Sequence, residues 1–183
     1  TDGHVVRNKA TQVFDRIRKD TNEVTNPLKP INPAKDVTVK VGGASANGRS
    51  VYKDSTFLYQ LDSSILPAHR AYPQVDQWKI VDPLNTEYDQ YTGQWAVYAT
   101  RDLLSGGEVV ASKGDRIAGN GFDSSKLGGG LFTLSTAVVD GRNVVTIEAT
   151  GRYRALVSDD SHEAGWRAYI QCKRTKVSDR VEN

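Results

Sequence analysis

Three polar side chains lie on strand faces that the sequence otherwise makes apolar, and their types could react with one another. Lys35 has the strand parity of Val37 in the run NPAKDVTVKV. Asp82 has the parity of Ile80 in QWKIVD, and Asn183 has the parity of the valine two positions before it. An ammonium or a carboxylate is costly to bury unless it is paired or loses its charge. These three residues are therefore the first candidates for a chemical role.

An amine, an amide and a carboxylic acid that are enclosed together can form an isopeptide bond. Desolvation favours the neutral, nucleophilic form of an amine and the protonated form of a carboxylic acid. The acid can then hydrogen-bond to the amide carbonyl and polarise it. Attack by the amine with loss of ammonia leaves an uncharged amide. This chemistry would use Lys35 as nucleophile, Asn183 as electrophile and Asp82 as the assisting acid.

Each of the three residues also has a simpler interpretation. A lysine at the start of a strand commonly extends its amine to solvent. An aspartate before proline is commonly a turn residue, and an asparagine at the end of a chain is commonly exposed. The acid role is open as well, because Asp76 and Asp89 are close to Asp82 in sequence.

The elements that must position these residues are short alternating runs separated by glycine-rich turns. In the first run, Val37, Val39 and Val41 are expected on one face. Further runs with alternating apolar residues are TFLYQL, QWAVYAT, NVVTIEAT and AYIQC, and the turns between runs include SGGE, SKGD and VDGRN. This pattern predicts an all-β, antiparallel β-sandwich, with a short helix or two in LDSSILPAHRAYP or NTEYDQYTG.

Composition excludes several classes of function. The chain has 183 residues and a net charge of +2 with acids and bases interspersed, so we expect no nucleic-acid partner and no direct membrane contact. Cys172 is the one cysteine, which rules out an intramolecular disulfide. Its pairing with His69 or His162 as a thiol catalyst is less favoured than a small buried residue in the alternating AYIQC strand.

Two regions of the chain differ in composition and in their density of strand signals. Residues 1–30 contain short β-like pieces followed by a polar, proline-bearing connector, whereas residues 31–183 are dense in strand signals. The segment VVRN ends at Asn8, and the chain ends similarly in RVEN at Asn183. This repetition favours a tandem array, in which 1–30 is the tail of one module plus a connector and 31–183 is the next module.

The sequence resembles a known family of surface proteins. The runs NPAKDV, GGASANGRSVYKDSTFLYQL, WKIVDPLNTEYDQYTG and GWRAYIQCKRTKVSDRVEN are similar to the C-terminal repeats of the streptococcal antigen I/II adhesins and the enterococcal aggregation substances. The resemblance covers most of residues 27–183.

The resemblance implies a modified immunoglobulin-like sandwich of the DEv-IgG type, stapled by a Lys–Asn isopeptide bond. Carried over by position, Lys35 and Asn183 form the bond, Asp82 assists, and Asn8 is the crosslink asparagine of the preceding module. The implied protein is a stalk or adhesin module anchored in a Gram-positive cell wall, extracellular and important for virulence. It would perform one self-crosslinking reaction and no enzymatic turnover, and it would need no cofactor.

A binding module is the alternative function, with host glycoprotein, carbohydrate or a bacterial surface partner recognised by loops. The glycine-rich stretch 119–130 and Trp166, which follows a glycine, are the candidate recognition surface. The acidic stretch SDDSHEAG offers Asp159, Asp160 and Glu163 as weak calcium candidates. It lacks EF-hand spacing, so a solvated loop is the favoured interpretation there. Neighbouring modules of the same chain are the remaining expected partners.

Overall fold

A computed structural model of the chain describes residues 5–27, 31–122 and 129–177. Within these ranges it contains fourteen β-strands and one α-helix. The chain divides into two compact units, Thr1–Asn32 and Pro33–Asn183. No helix in the described ranges is both long enough and apolar enough to cross a membrane.

The first unit is a β-ribbon built from two successive antiparallel pairs. Its strands are β1 (Val5–Asn8), β2 (Thr11–Phe14), β3 (Ile17–Asp20) and β4 (Val24–Pro27). β1 pairs with β4, and β2 pairs with β3 around a two-residue turn in which Asp15 has a positive φ of 53°. Every side chain whose burial is described in this unit is exposed. A two-stranded ribbon of this kind is only marginally stable by itself.

The second unit is a sandwich of two antiparallel sheets, which we call sheet I and sheet II. Its strands are β5 (Ala34–Thr38), β6 (Thr56–Asp62), β7 (Lys79–Pro83), β8 (Asp89–Ala99), β9 (Leu103–Ser105), β10 (Glu108–Ala111), β11 (Arg116–Gly119), β12 (Phe132–Val139), β13 (Arg142–Ala149) and β14 (Trp166–Arg174). Sheet I has the order β11-β8-β14-β6-β5, and sheet II has the order β12-β13-β7. β9 and β10 form a separate hairpin. The predicted all-β, antiparallel class is confirmed.

The hydrophobic core lies between the facing surfaces of the two sheets. Sheet II contributes alternate residues of β13, of which Val145 and Ile147 are fully buried, as the period-2 pattern of that strand requires. Sheet I contributes Ala168 and Ile170 from its central strand β14, which the sequence also placed on one face. The apolar surface removed from water here holds the sheets together and fixes the relative positions of their edge strands.

The helix α1 (Gly151–Ser158) lies in the crossover from β13 of sheet II to β14 of sheet I. It buries Tyr153 and Val157, which share one face at i, i+4 spacing. Arg70 donates from its guanidinium to the Val157 carbonyl at 2.8 Å, satisfying a carbonyl in the last turn of the helix.

The one α-helix of the described residues, α1, lies outside the two segments in which the sequence indicated short helical turns. LDSSILPAHRAYP contains bends and an isolated bridge between Leu66 and Ala164, and two prolines disfavour a continuous helix there. In NTEYDQYTG a single turn, in which the N–H groups of Tyr88 and Asp89 both donate to the Asn85 carbonyl, leads directly into β8.

The alternation expected from Val37 to Val41 also ends early. β5 stops at Thr38, whose hydroxyl donates to the Lys40 carbonyl at 2.5 Å, and a turn closes with Gly43 N donating to the same carbonyl at 3.0 Å. Val39 is consequently 71% exposed, whereas Val37 packs against the core as expected.

The core assignment predicts very different costs for truncating two aromatic residues. Trp166 is fully buried against Trp78 and Phe132, whereas Tyr72 is 87% exposed. We expect Trp166→Ala to lower the free energy of unfolding by about 3–5 kcal/mol through lost burial and a residual cavity. Tyr72→Ala should change it by less than about 0.5 kcal/mol. Urea unfolding followed by circular dichroism measures both, and equal losses would contradict the placement of Trp166.

Candidate functional site

An ion pair joins the edge strands of the two sheets. Lys35 lies in β5 at the edge of sheet I, and Asp82 lies in β7 at the edge of sheet II. The Nζ atom of Lys35 is 2.6 Å from Oδ1 of Asp82. Two of the three residues predicted to react therefore meet across the sandwich, although 47 positions separate them in the chain.

Strand register aims both side chains at the interior. Asp82 stands opposite the buried Val145 of β13, and its own side chain is 5% exposed. Lys35 stands opposite Leu61 of β6, and its side chain is 27% exposed. The lysine stem therefore runs inward while one side of it still contacts solvent. Its amine lies 4.3 Å from the centroid of the Tyr59 ring, within the range of a cation–π contact.

The two oxygens of Asp82 differ. Oδ1 accepts from the lysine amine, whereas Oδ2 is buried and has no hydrogen-bond partner among the described residues. A buried carboxylate oxygen without a partner costs free energy of desolvation. A carboxylic acid in this position would instead have one oxygen available to donate a proton to a further acceptor.

The third predicted residue, Asn183, lies outside the described residues, and so does the rest of 178–183. Asn8, the predicted crosslink residue of a preceding module, is the last residue of β1 and stands opposite Val24. The roles of both asparagines stay predictions.

A second buried ion pair lies on sheet I. Asp89, at the start of β8, accepts from Arg174 Nε at 2.7 Å and from the Tyr59 hydroxyl at 2.7 Å. Sequence reasoning named Asp89 only as an alternative acid and missed Arg174 and Tyr59. A signal for both was present, because Arg174 continues the inward parity of Cys172 and Tyr59 has the inward parity of TFLYQL. Asp76, the other alternative acid, is exposed and lies beside α1.

Cys172 is a fully buried residue of β14 close to both ion pairs. Burial is the main factor that raises the pKa of its thiol to about 12, and the negative charges of Asp89 and Asp82 add to the effect. A thiol held in its protonated form is a poor nucleophile. This environment supports the interpretation of Cys172 as a small buried residue.

The remaining candidates are dispersed. Asp159 accepts from Ser161 N, and Glu163 pairs with Arg101 at 3.0 Å. Across the described residues no group of three metal-binding side chains is found, so Asp159, Asp160 and Glu163 are not gathered around one point.

The structure removes one residue from the candidate recognition surface of the binding module. Trp166 was left open as a loop residue that could line a sugar site, but it is a core residue of β14 and cannot contact a sugar at the surface. A parity argument from Ala168 and Ile170 would have placed it inside, since all three share one face. The stretch 119–130 lies partly outside the described residues, at 123–128.

The environment of Cys172 predicts how its thiol behaves in solution. In the folded protein the thiol should not react with a disulfide-exchange reagent at pH 8, and one equivalent should react after unfolding. The unfolded thiol ionises near 9.0 and the folded one near 12, so the folded state binds the proton more strongly between these values. The free energy of unfolding should therefore fall as the pH rises from 9 to 12, by up to about 1.4 kcal/mol per pH unit for this group.

The control for that measurement is Cys172→Ala. Burial also raises the pKa of Tyr91 to about 12 and raises that of Tyr153, but both tyrosines are common to the two proteins. The alkaline loss of stability should be steeper in the wild type than in the variant. Rapid labelling of the native thiol at pH 8 would contradict the buried environment.

Comparison with known proteins agrees with this architecture. The family model described as "Cell surface antigen C-terminus" matches residues 32–183. The aggregation substance of Enterococcus faecalis is 31% identical to the chain over 175 residues, which is 95% of this chain and 12% of that protein. The chain thus spans about an eighth of the length of this relative.

Solved structures show the same fold. The C-terminal domain of the Streptococcus pyogenes antigen I/II-family protein AspA matches with a TM-score of 0.78 and 25% identity, over 97% of this chain and 48% of that one. The C-terminal domain of the Streptococcus agalactiae AgI/II polypeptide BspA matches with a TM-score of 0.78 and 24% identity, over 97% of this chain and 52% of that one. The family match covers most of the chain and includes both residues of the Lys35–Asp82 pair, so the chain belongs to the cell surface antigen C-terminus family, as its resemblance to the antigen I/II adhesins and aggregation substances indicated.

Proposed function

We propose that the second unit is a mechanically strong stalk module of a surface adhesin, stapled by an isopeptide bond between Lys35 and Asn183. The observation that carries the proposal is the Lys35–Asp82 pair, in which a partly exposed amine and a buried acid from different sheets lie 2.6 Å apart. An ion pair buried in this way costs desolvation that its Coulomb attraction need not recover. Converting the amine to an amide removes that cost.

The proposed reaction uses each group of the site once. A proton passes from the Lys35 ammonium to Asp82, which leaves a neutral amine beside a neutral acid. The acid donates a hydrogen bond to the Asn183 side-chain carbonyl while Nζ attacks its carbon. The new C–N bond forms, the bond to the amide nitrogen breaks, and ammonia leaves with the proton that the amine releases. Asp82 acts as the proton carrier throughout.

Asp82 fits the acid role better than the alternatives. Both oxygens of Asp89 already accept hydrogen bonds, from Arg174 and from Tyr59. Asp82 has a buried oxygen with no partner among the described residues, and it contacts the amine directly. Asp76 is exposed.

Chain length allows Asn183 to reach the pair. Thr175, the residue after β14, is anchored by its N–H to the Tyr88 carbonyl at 2.7 Å, and Tyr88 follows β7 closely in sequence. The eight residues from there to Asn183 can extend up to about 28 Å. We propose that this length brings the Asn183 side chain to Asp82.

The bond would close a loop of roughly 150 residues, comprising nearly the whole second unit. In the chain-entropy description a closed loop of this size stabilises a domain by about 5 kcal/mol, as a long-range disulfide would. A pulling force applied at the two ends would pass through the bond and leave most of the sandwich unloaded. No oxidant is needed, which suits a chain with a single cysteine.

The wider setting follows from the family. The family is one of cell surface antigens, and we extend this to an extracellular module anchored in a Gram-positive cell wall. The first unit, with no buried side chain described, fits the tail of a preceding module whose own crosslink would use Asn8. Neighbouring modules and a host glycoprotein or bacterial surface partner are the proposed contacts, and the single self-crosslink is the proposed extent of catalysis.

The mass of the purified chain tests the bond directly. Wild type should be about 17 Da lighter than its sequence mass, because one ammonia is lost. Lys35→Ala, Asp82→Ala and Asn183→Ala should each have the full mass of their sequences. A matched control is the exposed pair of Lys173 and Asp54, whose alanine variants should keep the deficit because they contact neither edge strand of the site. A wild type at full sequence mass would overturn the proposal.

The bond should also be visible in thermal stability. We expect Lys35→Ala to unfold about 10–20 °C below the wild type, since about 5 kcal/mol is lost in a domain of roughly 150 residues. Differential scanning calorimetry of both proteins at the same pH gives the two midpoints. Equal midpoints would mean that the bond, even if present, does not restrict the unfolded chain.

A further inference from the structure

The proposed reaction leaves one buried polar cluster of the same region unexplained. Asp89 has a fully buried side chain, and Arg174 is 11% exposed at its side chain. Their ion pair costs desolvation, and a buried pair of this kind is weak evidence for stability in itself. The cluster therefore matters for the side chains that it holds in position.

The cluster holds the ring of Tyr59 from two directions. The Tyr59 hydroxyl donates to Asp89 Oδ2 at 2.7 Å, and its ring packs edge-to-face on Phe57 with centroids 5.1 Å apart. Arg174 fixes the acceptor by donating to the other oxygen of Asp89, and its guanidinium lies 5.3 Å from the Phe57 ring. Ring, acid and guanidinium thus support one another.

The fixed ring is also the surface on which the reacting amine lies. Lys35 Nζ is 4.3 Å from the centroid of Tyr59 and 2.6 Å from Asp82 Oδ1. A lysine side chain has four rotatable bonds, and its amine would otherwise sample many positions near the partly exposed edge of the sandwich. Contact with a ring on one side and a carboxyl oxygen on the other leaves a narrow range of positions for the amine.

We infer that Tyr59 is a positioning residue for the crosslink, and that the Asp89–Arg174 pair acts through the Tyr59 hydroxyl to hold the ring against the Lys35 amine. This inference rests on the proposed Lys35–Asn183 bond. Tyr59 forms no bond with the substrate groups and carries no proton in the reaction. Its effect is to keep the amine in the geometry from which attack occurs, where a displacement of about 1 Å can slow a reaction by about a hundredfold.

The test follows the rate of ammonia loss as the full chain folds. The chain is recovered unfolded from inclusion bodies, refolded by dilution, quenched at intervals and weighed by mass spectrometry. Tyr59→Phe keeps the ring but loses the hydroxyl, and we expect it to crosslink about tenfold more slowly than the wild type. Tyr59→Leu loses the ring and should be about a hundredfold slower. Circular dichroism at each time point separates slow folding from slow chemistry.

Three controls separate positioning from other roles. Tyr169→Phe removes the hydroxyl of another buried tyrosine, which accepts from Gly42 N at 3.2 Å, and should leave the rate unchanged. Asp89→Asn alone should slow the crosslinking reaction. If Asp89 acts through the Tyr59 hydroxyl, the same substitution should not slow the reaction further in a chain that already carries Tyr59→Phe. The pH dependence of the rate should keep its midpoint in Tyr59→Phe, because the Tyr59 hydroxyl takes no part in proton transfer in this proposal.

The outcomes distinguish failure of the crosslink from failure of the positioning role of Tyr59. A wild type that never loses ammonia overturns the crosslink and the positioning role together. A wild type that loses ammonia while both Tyr59 variants do so at its rate overturns the positioning role and leaves the crosslink standing. A shifted pH midpoint in Tyr59→Phe would overturn it as well, because Tyr59 would then take part in proton transfer.

Discussion

The contact between Lys35 and Asp82 is the interaction that the rest of the sandwich must hold in place. It places an amine and a carboxyl group between the edges of two sheets, in surroundings where unpaired charge is expensive. As an ion pair it recovers part of that cost, and the proposed amide would remove the charge of the amine altogether. In the proposed reaction, the desolvation that makes the pair costly would therefore also favour its conversion to uncharged groups.

The core supplies the rigidity that the proposed chemistry would need. Facing residues of β13 and β14 are fully buried, so the two sheets cannot slide without losing contacts along the whole interface. Because β5 and β7 are each paired to a strand that contributes to that core, the distance between Lys35 and Asp82 is determined by the packing of the sandwich. A site built on strands in this way is held more tightly than one built on loops.

The charged groups of this region are arranged in two balanced pairs with different geometry. In the Lys35–Asp82 pair, one carboxyl oxygen has no hydrogen-bond partner among the described residues. In the Arg174–Asp89 pair, both carboxyl oxygens accept hydrogen bonds. The Cys172 thiol between them stays protonated, which keeps a third negative charge out of the interior. In the proposed reaction this difference gives the two aspartates separate roles, with Asp82 as the acid and Asp89 as a structural acceptor.

A crosslink of this kind suits a protein of the cell surface. The chain covers 12% of the aggregation substance that it resembles. A covalent tie between distant parts of one domain stabilises it without cysteine pairs and without an oxidising enzyme. The ribbon of the first unit exposes Val13, Ile17 and Val24.

The sequence by itself determined the class of fold, the inward face of most strands and the identity of Lys35 and Asp82 as candidates. These follow from period-2 alternation, which is a local property that a strand keeps wherever it is placed. Only the tertiary structure decided that Lys35 and Asp82 meet, that Asp89 is taken by Arg174 and Tyr59, and that Trp166 is inside. It also decided that Val39 faces solvent after a turn and that the helix begins at Gly151. Contacts such as these depend on how two sheets stack and on which strands pair, and residues 47 or 85 positions apart carry no local signal of their eventual partner.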